Sequence, residues 1–154
     1  MPDFLSEPVA GRILALDVGK KRIGLAVTDE LGITAQGLPT FQRVRIRDDL
    51  QRLSELARQR SVALILIGKP LHMSGDDSRQ SAYTQEFGER LRQETGLPVV
   101  YWDERLTTVE AERVLREGGA TLDERKRAVD RLSAVLLLES FLDARRFAHG
   151  GSIE

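Results

Sequence analysis

Three acidic positions in this 154-residue chain sit where a folded domain would place core. Asp17 lies inside Leu14-Ala-Leu-Asp-Val-Gly19, in the middle of an apolar run that reads as a buried strand. A carboxylate there is costly to bury without a hydrogen bond, an ion pair or a metal to recover the lost hydration, and Asp is a poor strand former. Asp103 and Glu104, followed by Arg105, come directly after the apolar run Val99 to Trp102. Side chains alternate along a strand, so only one of these two acids should share a face with Asp17. Asp130 heads the helical stripe Asp130, Ala134, Leu137 and Phe141, which is otherwise apolar. Each acid has a plainer reading alone. Asp17 could accept amides of the following glycine turn, Asp103 or Glu104 could pair with Arg105, and Asp130 could pair with Lys126 or Arg127. Taken together, three converging carboxylates repel one another unless cations intervene. With no cysteine in the chain, a thiolate site is excluded and Asp, Glu and His remain as ligands; the expected cations are Mg²⁺ or Mn²⁺, which favour oxygen donors. Two such ions roughly 4 Å apart can activate water and stabilise a phosphate under attack.

Stepping outward from the acids, the pattern predicts the elements that must position them. Arg12 to Gly19 and Ile23 to Thr28 read as strands joined by a tight turn, and Gly32 to Leu38 as a third strand ended by Pro39. Ile46, Leu50, Leu53 and Ala57 recur at helical spacing, with Asp48 and Asp49 in the first turn. Val62 to Ile67 reads as a strand buried on both faces. A loop from Gly68 to Asp76 leads to a helix over about 78–94, stopped by Gly96 and Pro98. Val99 to Trp102 is the last strand. Thr107 and Glu110 form a capping box for a short helix ending at Gly118, and a final helix runs over about 123–146. The expected fold is α/β: one domain over 1–154 with a mixed five-stranded sheet, three antiparallel strands followed by alternating α and β, flanked by helices. Residues 1–11 and 149–154 are expected to be loose.

The net charge is −1, from 23 basic and 24 acidic residues, which speaks against a strongly electropositive nucleic-acid binder. Distribution softens that objection. Lys20, Lys21 and Arg22 form one basic cluster, Arg43, Arg45 and Arg47 another, and Arg125, Lys126, Arg127 and Arg131 a third. Bound divalent ions would also invert the local sign at the acids. The N-terminal segment lacks the pattern of a signal peptide, and no apolar run reaches the roughly 20 residues of a membrane span. A cytoplasmic protein without membrane contact is expected.

Four ordered motifs carry a resemblance to a known family. They are Asp17-Val-Gly-Lys-Lys-Arg-Ile-Gly24, Gly68-Lys-Pro-Leu-His-Met-Ser-Gly75, Asp103-Glu-Arg-Leu-Thr-Thr-Val-Glu-Ala111, and Val129-Asp130 followed by Ser133-Ala-Val-Leu-Leu-Leu-Glu-Ser140. Over about 11–147 the chain resembles the YqgF/RuvX family of bacterial proteins, described as Holliday junction resolvases and as nucleases maturing the precursor of small-subunit ribosomal RNA. The resemblance implies a ribonuclease H-like fold and a metal-dependent endonuclease. It implies catalytic and metal-binding roles for Asp17, Glu104 and Asp130, with Asp103 the second choice to Glu104 as ligand. Lys69 stands where a typical member has an apolar residue. The cations expected on a nucleic-acid backbone are Lys20, Lys21, Arg22, Lys69 and Arg105. His72 invites a general-base role, although a loop histidine is more often idle. The implied substrate is a four-way DNA junction or precursor rRNA. A resolvase making two symmetric cuts would favour a homodimer. Two other readings compete: a non-catalytic nucleic-acid-binding factor in ribosome assembly, and a nucleotide phosphotransferase, suggested by the likeness of Asp17-x-Gly19 and Gly24 to the phosphate turn of actin-like ATPases and sugar kinases. The second lacks the room for two closing domains.

Overall fold

The computed structural model describes residues 4–6, 8–69, 75–103 and 122–150. Its strands are β1 (Arg12–Val18), β2 (Arg22–Thr28), β3 (Ala35–Gln42), β4 (Val62–Lys69) and β5 (Val99–Asp103). Its helices are α1 (Ile46–Gln59), α2 (Gly75–Thr95) and α3 (Leu122–Gly150). The short helix predicted between Thr107 and Gly118 lies outside the described residues.

The strands form one sheet in the order β3-β2-β1-β4-β5. β1, β2 and β3 pair antiparallel, whereas β1, β4 and β5 are parallel. The mixed sheet read from the sequence is therefore present. One expected strand is displaced: Gly32 has φ +70° and belongs to a turn, and β3 runs on through Pro39 to Gln42. Proline is tolerated there because β3 is an edge strand, paired only with β2.

Alternation along the strands splits the core in two. Leu14, Leu16, Ile23, Leu25, Ile65 and Ile67 face α1 and α2. On the other face Ile13, Ala15, Ala26, Leu64 and Leu66 meet Ala134, Leu137, Leu138 and Phe141 of α3. The stripe headed by Asp130 thus lies on the sheet as its spacing requires. Each large side chain buried this way contributes about 1.5–3 kcal/mol. Trp102 of β5 adds an edge-to-face contact with Phe141, ring centroids 5.2 Å apart, and its indole donates to Ser140 Oγ at 3.1 Å. Phe4, Leu5 and Val9, from the segment expected to be loose, also pack against this half of the core. α2 ends as predicted at Gly96, whose φ of +73° lets its amide return to Arg92 O at 2.9 Å.

Candidate metal centre

Asp17 follows Ile13 and Ala15 in alternation, so it stands on the α3 face of β1, half-buried. Its register partner is Gly24 of β2. A Cβ built on Gly24 would come within 1.9 Å of the Asp130 carbonyl oxygen. The α3 backbone at Asp130 therefore rests directly on the residue opposite Asp17. Gly24 is the contact that brings the two acids to one place, and only a residue without a side chain allows it.

The strand register locates this place in the sheet. Leu16 pairs with Ile67, and Ile67 with Tyr101. Asp17, one residue on, is level with Gly68 and Trp102, at the C-terminal ends of the three parallel strands. Open α/β sheets gather sites at this end.

Asp103 does not join Asp17. Val99 and Tyr101 face α2, whereas Val100 and Trp102 face α3, so Asp103 falls on the α2 side by alternation. Lys69, expected beside the acids, is also on that side. Its ammonium lies 3.1 Å from Gln85 Oε1 and 5.1 Å from the Tyr101 ring centroid. Glu104, Arg105 and His72 lie outside the described residues.

Arg22 occupies a place the sequence did not foretell. Its Nε donates to Asp130 Oδ2 at 2.6 Å, with the two side chains 31% and 22% exposed. The guanidinium sits on β2 on the same face as Gly24. Lys20 and Lys21, exposed in the turn between β1 and β2, have no acidic partner among the described residues. They border a cavity of about 470 Å³ that also reaches Gln42, Val44 and Arg45.

The turn itself is fixed from behind by Arg43, one of the basic cluster Arg43, Arg45 and Arg47. Arg43 is buried against Asp49, Nε to Oδ2 3.1 Å, with side chains 8% and 1% exposed. Its Nη1 donates to Gly19 O at 2.9 Å and to the Tyr83 hydroxyl, and its amide donates to Lys21 O at 3.0 Å. Gly19 N closes the turn onto Arg22 O at 2.9 Å. Burial works against the Arg43 charge, but the hydrogen bonds to Tyr83 and Asp49 more than offset it and raise the pKa. The signal available in the sequence was the nearby Asp49, at a helix start, which also accepts Val44 N at 3.0 Å.

Among the described residues no three acidic or histidine side chains stand together as a metal-holding group. Asp17 and Asp130 nevertheless fit a hard divalent cation in kind. Their donors are oxygens, they share one face, and Asp130 already holds a cation in the Arg22 guanidinium.

Comparison with known proteins agrees with this architecture. A Koribacter versatilis protein provisionally named pre-16S rRNA nuclease is 52% identical over 143 residues, 92% of this chain and 94% of that one. A Symbiobacterium thermophilum protein of the same provisional name is 45% identical over 134 residues, 87% of this chain and 93% of that one. The T. thermophilus RuvC structure in complex with a Holliday junction substrate superposes with TM-score 0.56 over 91% of this chain and 96% of that one. At 14% identity it shows the shared ribonuclease H-like fold alone. Residues 11–144 match the family described as RuvX, Holliday junction resolvase, and the chain belongs to that family.

Proposed function

We propose that this protein is a divalent-metal-dependent endonuclease that processes the precursor of 16S rRNA. The observation that carries the reading is the seating of Asp130 on Gly24, opposite Asp17, at the C-terminal ends of the parallel strands. The substrate follows the provisional names of the relatives at 52% and 45% identity.

Asp17, Asp130 and Glu104 would hold Mg²⁺ or Mn²⁺. What speaks for Glu104 is that alternation puts the other candidate, Asp103, on the α2 side, away from Asp17. When bound, such ions activate water and neutralise charge building on the phosphate. The protein's own contribution is placement. Gly24 sets the spacing of two acids, and Arg43 holds the turn that carries Lys20 and Lys21. Those two lysines are free to meet backbone phosphates beside the acids, a contact that positions the strand without reading its sequence. Trimming a single RNA end needs one site, so this reading requires no paired subunits. No described helix is long and apolar enough to cross a membrane.

The test incubates end-labelled precursor-rRNA fragment, linear duplex and four-way DNA junction with the protein in Mn²⁺, Mg²⁺ or EDTA, beside Asp17→Asn. Metal-dependent cutting of the RNA, lost in the variant, supports the proposal. Preferential cutting of the junction replaces RNA processing with junction resolution. Binding without cutting under all conditions points to a non-catalytic assembly factor.

A further inference from the structure

We propose that Arg22 is a stand-in cation: it neutralises Asp130 in the metal-free protein and must leave that carboxylate when a divalent ion binds. The inference rests on the metal-dependent reading above and concerns how that site is kept intact before loading.

The contact is specific in its geometry. A separation of 2.6 Å from Nε to Oδ2 is short for a charge-assisted hydrogen bond, and both side chains are partly withdrawn from water. Neither end is on a loose tether. Arg22 begins β2, one residue after a turn gripped by Arg43 through Gly19 O and Lys21 O. Asp130 is held by its own backbone against Gly24. With both backbones held, forming the pair costs side-chain freedom alone.

The pair also answers an electrostatic need. Asp17 and Asp130 are brought to one face by Gly24, and two like charges on one face are easier to keep ionised when a cation stands beside them. Arg22 supplies one positive charge on that face. A divalent ion supplies two and takes oxygen lone pairs directly. The two cations therefore compete for Asp130 Oδ2, so part of the metal's binding free energy goes into breaking the ion pair. Removing the competitor should tighten metal binding. A residue with only a structural role would do the opposite when removed.

Free Mn²⁺ is measured by electron paramagnetic resonance during titration of the full chain, without nucleic acid. Arg22→Gln is expected to bind Mn²⁺ about threefold to tenfold more tightly than wild type. Arg22→Lys, which keeps the charge, should stay near wild type. Equal or weaker Mn²⁺ binding by folded Arg22→Gln overturns the proposal. Asp130→Asn separates this failure from failure of the metal reading itself: unchanged Mn²⁺ binding there removes Asp130 as a ligand and the proposal with it. Should Arg22→Gln not fold, ¹⁵N spectra of the arginine Nε–H groups in wild type serve instead. The Arg22 signal should shift and lose its protection from exchange as Mg²⁺ saturates the site. Saturation that leaves this signal in place overturns the proposal.

Discussion

Gly24 and Asp130 touch across the sheet–helix boundary so closely that a single methyl on Gly24 would stand 1.9 Å from the Asp130 carbonyl oxygen. The contact is to helix backbone, which cannot swing aside as a side chain could. Gly24→Ala must therefore lift α3 at Asp130. The cost is expected at about 1–3 kcal/mol or more, measured as a fall in urea midpoint. Metal-dependent cleavage should fall further than stability does, because the displaced residue is one of the acids.

Replacing Asp17 or Asp130 by Asn should abolish metal-dependent cleavage. Asp17→Asn should leave the circular dichroism spectrum unchanged, since a half-buried amide of the same shape removes charge without opening a cavity. Retained cleavage by either variant would remove that residue from the catalytic set.

Arg43→Met leaves the Asp49 carboxylate buried without its partner. The expected loss is about 3–5 kcal/mol, by urea unfolding. The double variant Arg43→Met with Asp49→Leu should recover much of that loss, because two apolar groups replace two charges. Cleavage should not recover with it, since the Gly19 carbonyl still lacks its donor.

Lys20→Ala with Lys21→Ala should weaken nucleic-acid binding without changing melting temperature. The slope of log K against log salt should fall by about 1.4–1.8, two phosphate contacts' worth. An unchanged slope would mean that the backbone does not cross this turn.

Asp29 closes the turn between β2 and β3. Its Oδ1 accepts Ile33 N at 2.7 Å and Thr34 N at 3.3 Å, and these bonds, Ile33's first, hold its pKa below 3.8. A depressed folded pKa means that stabilisation is present above the unfolded pKa and lost as pH falls through the folded one. The protection of the Ile33 and Thr34 amides, their exchange rates taken relative to the intrinsic rate at each pH, should therefore fall only below about pH 3.8, the unfolded value. In Asp29→Asn that fall should be absent.

Much of the fold was legible where periodicity speaks for itself. The stripe from Asp130 through Ala134, Leu137 and Phe141 meets the sheet as its spacing implies, and Leu50, Leu53 and Ala57 are buried as read. Pro39 misled because proline punctuates only where its missing amide is needed, and an edge strand has a side that needs none. Asp17 announced itself as a charge in an apolar run. Arg22 and Arg43 did not, because local sequence cannot say which member of a basic cluster turns inward. Arg22 finds Asp130 across 108 positions, and Arg43 finds Tyr83 across 40. Such pairings exist only once the sheet has formed. The choice between Asp103 and Glu104 was open in the sequence, because it depends on how far β5 extends; the core clusters put Asp103 on the α2 side by alternation, and Glu104 lies outside the described residues.

The grip of Arg43 on Gly19 has a consequence for engineering. Asp17 and Asp130 lie on the α3 side, but the turn that follows Asp17 is tied to the opposite layer through Arg43 and Asp49. The α1 layer is thus not an interchangeable backing. A graft of the β1–β2 motif into another scaffold, or a chimera exchanging α1 between relatives, would carry the acids and leave their alignment behind unless Arg43, Asp49 and Tyr83 travel together.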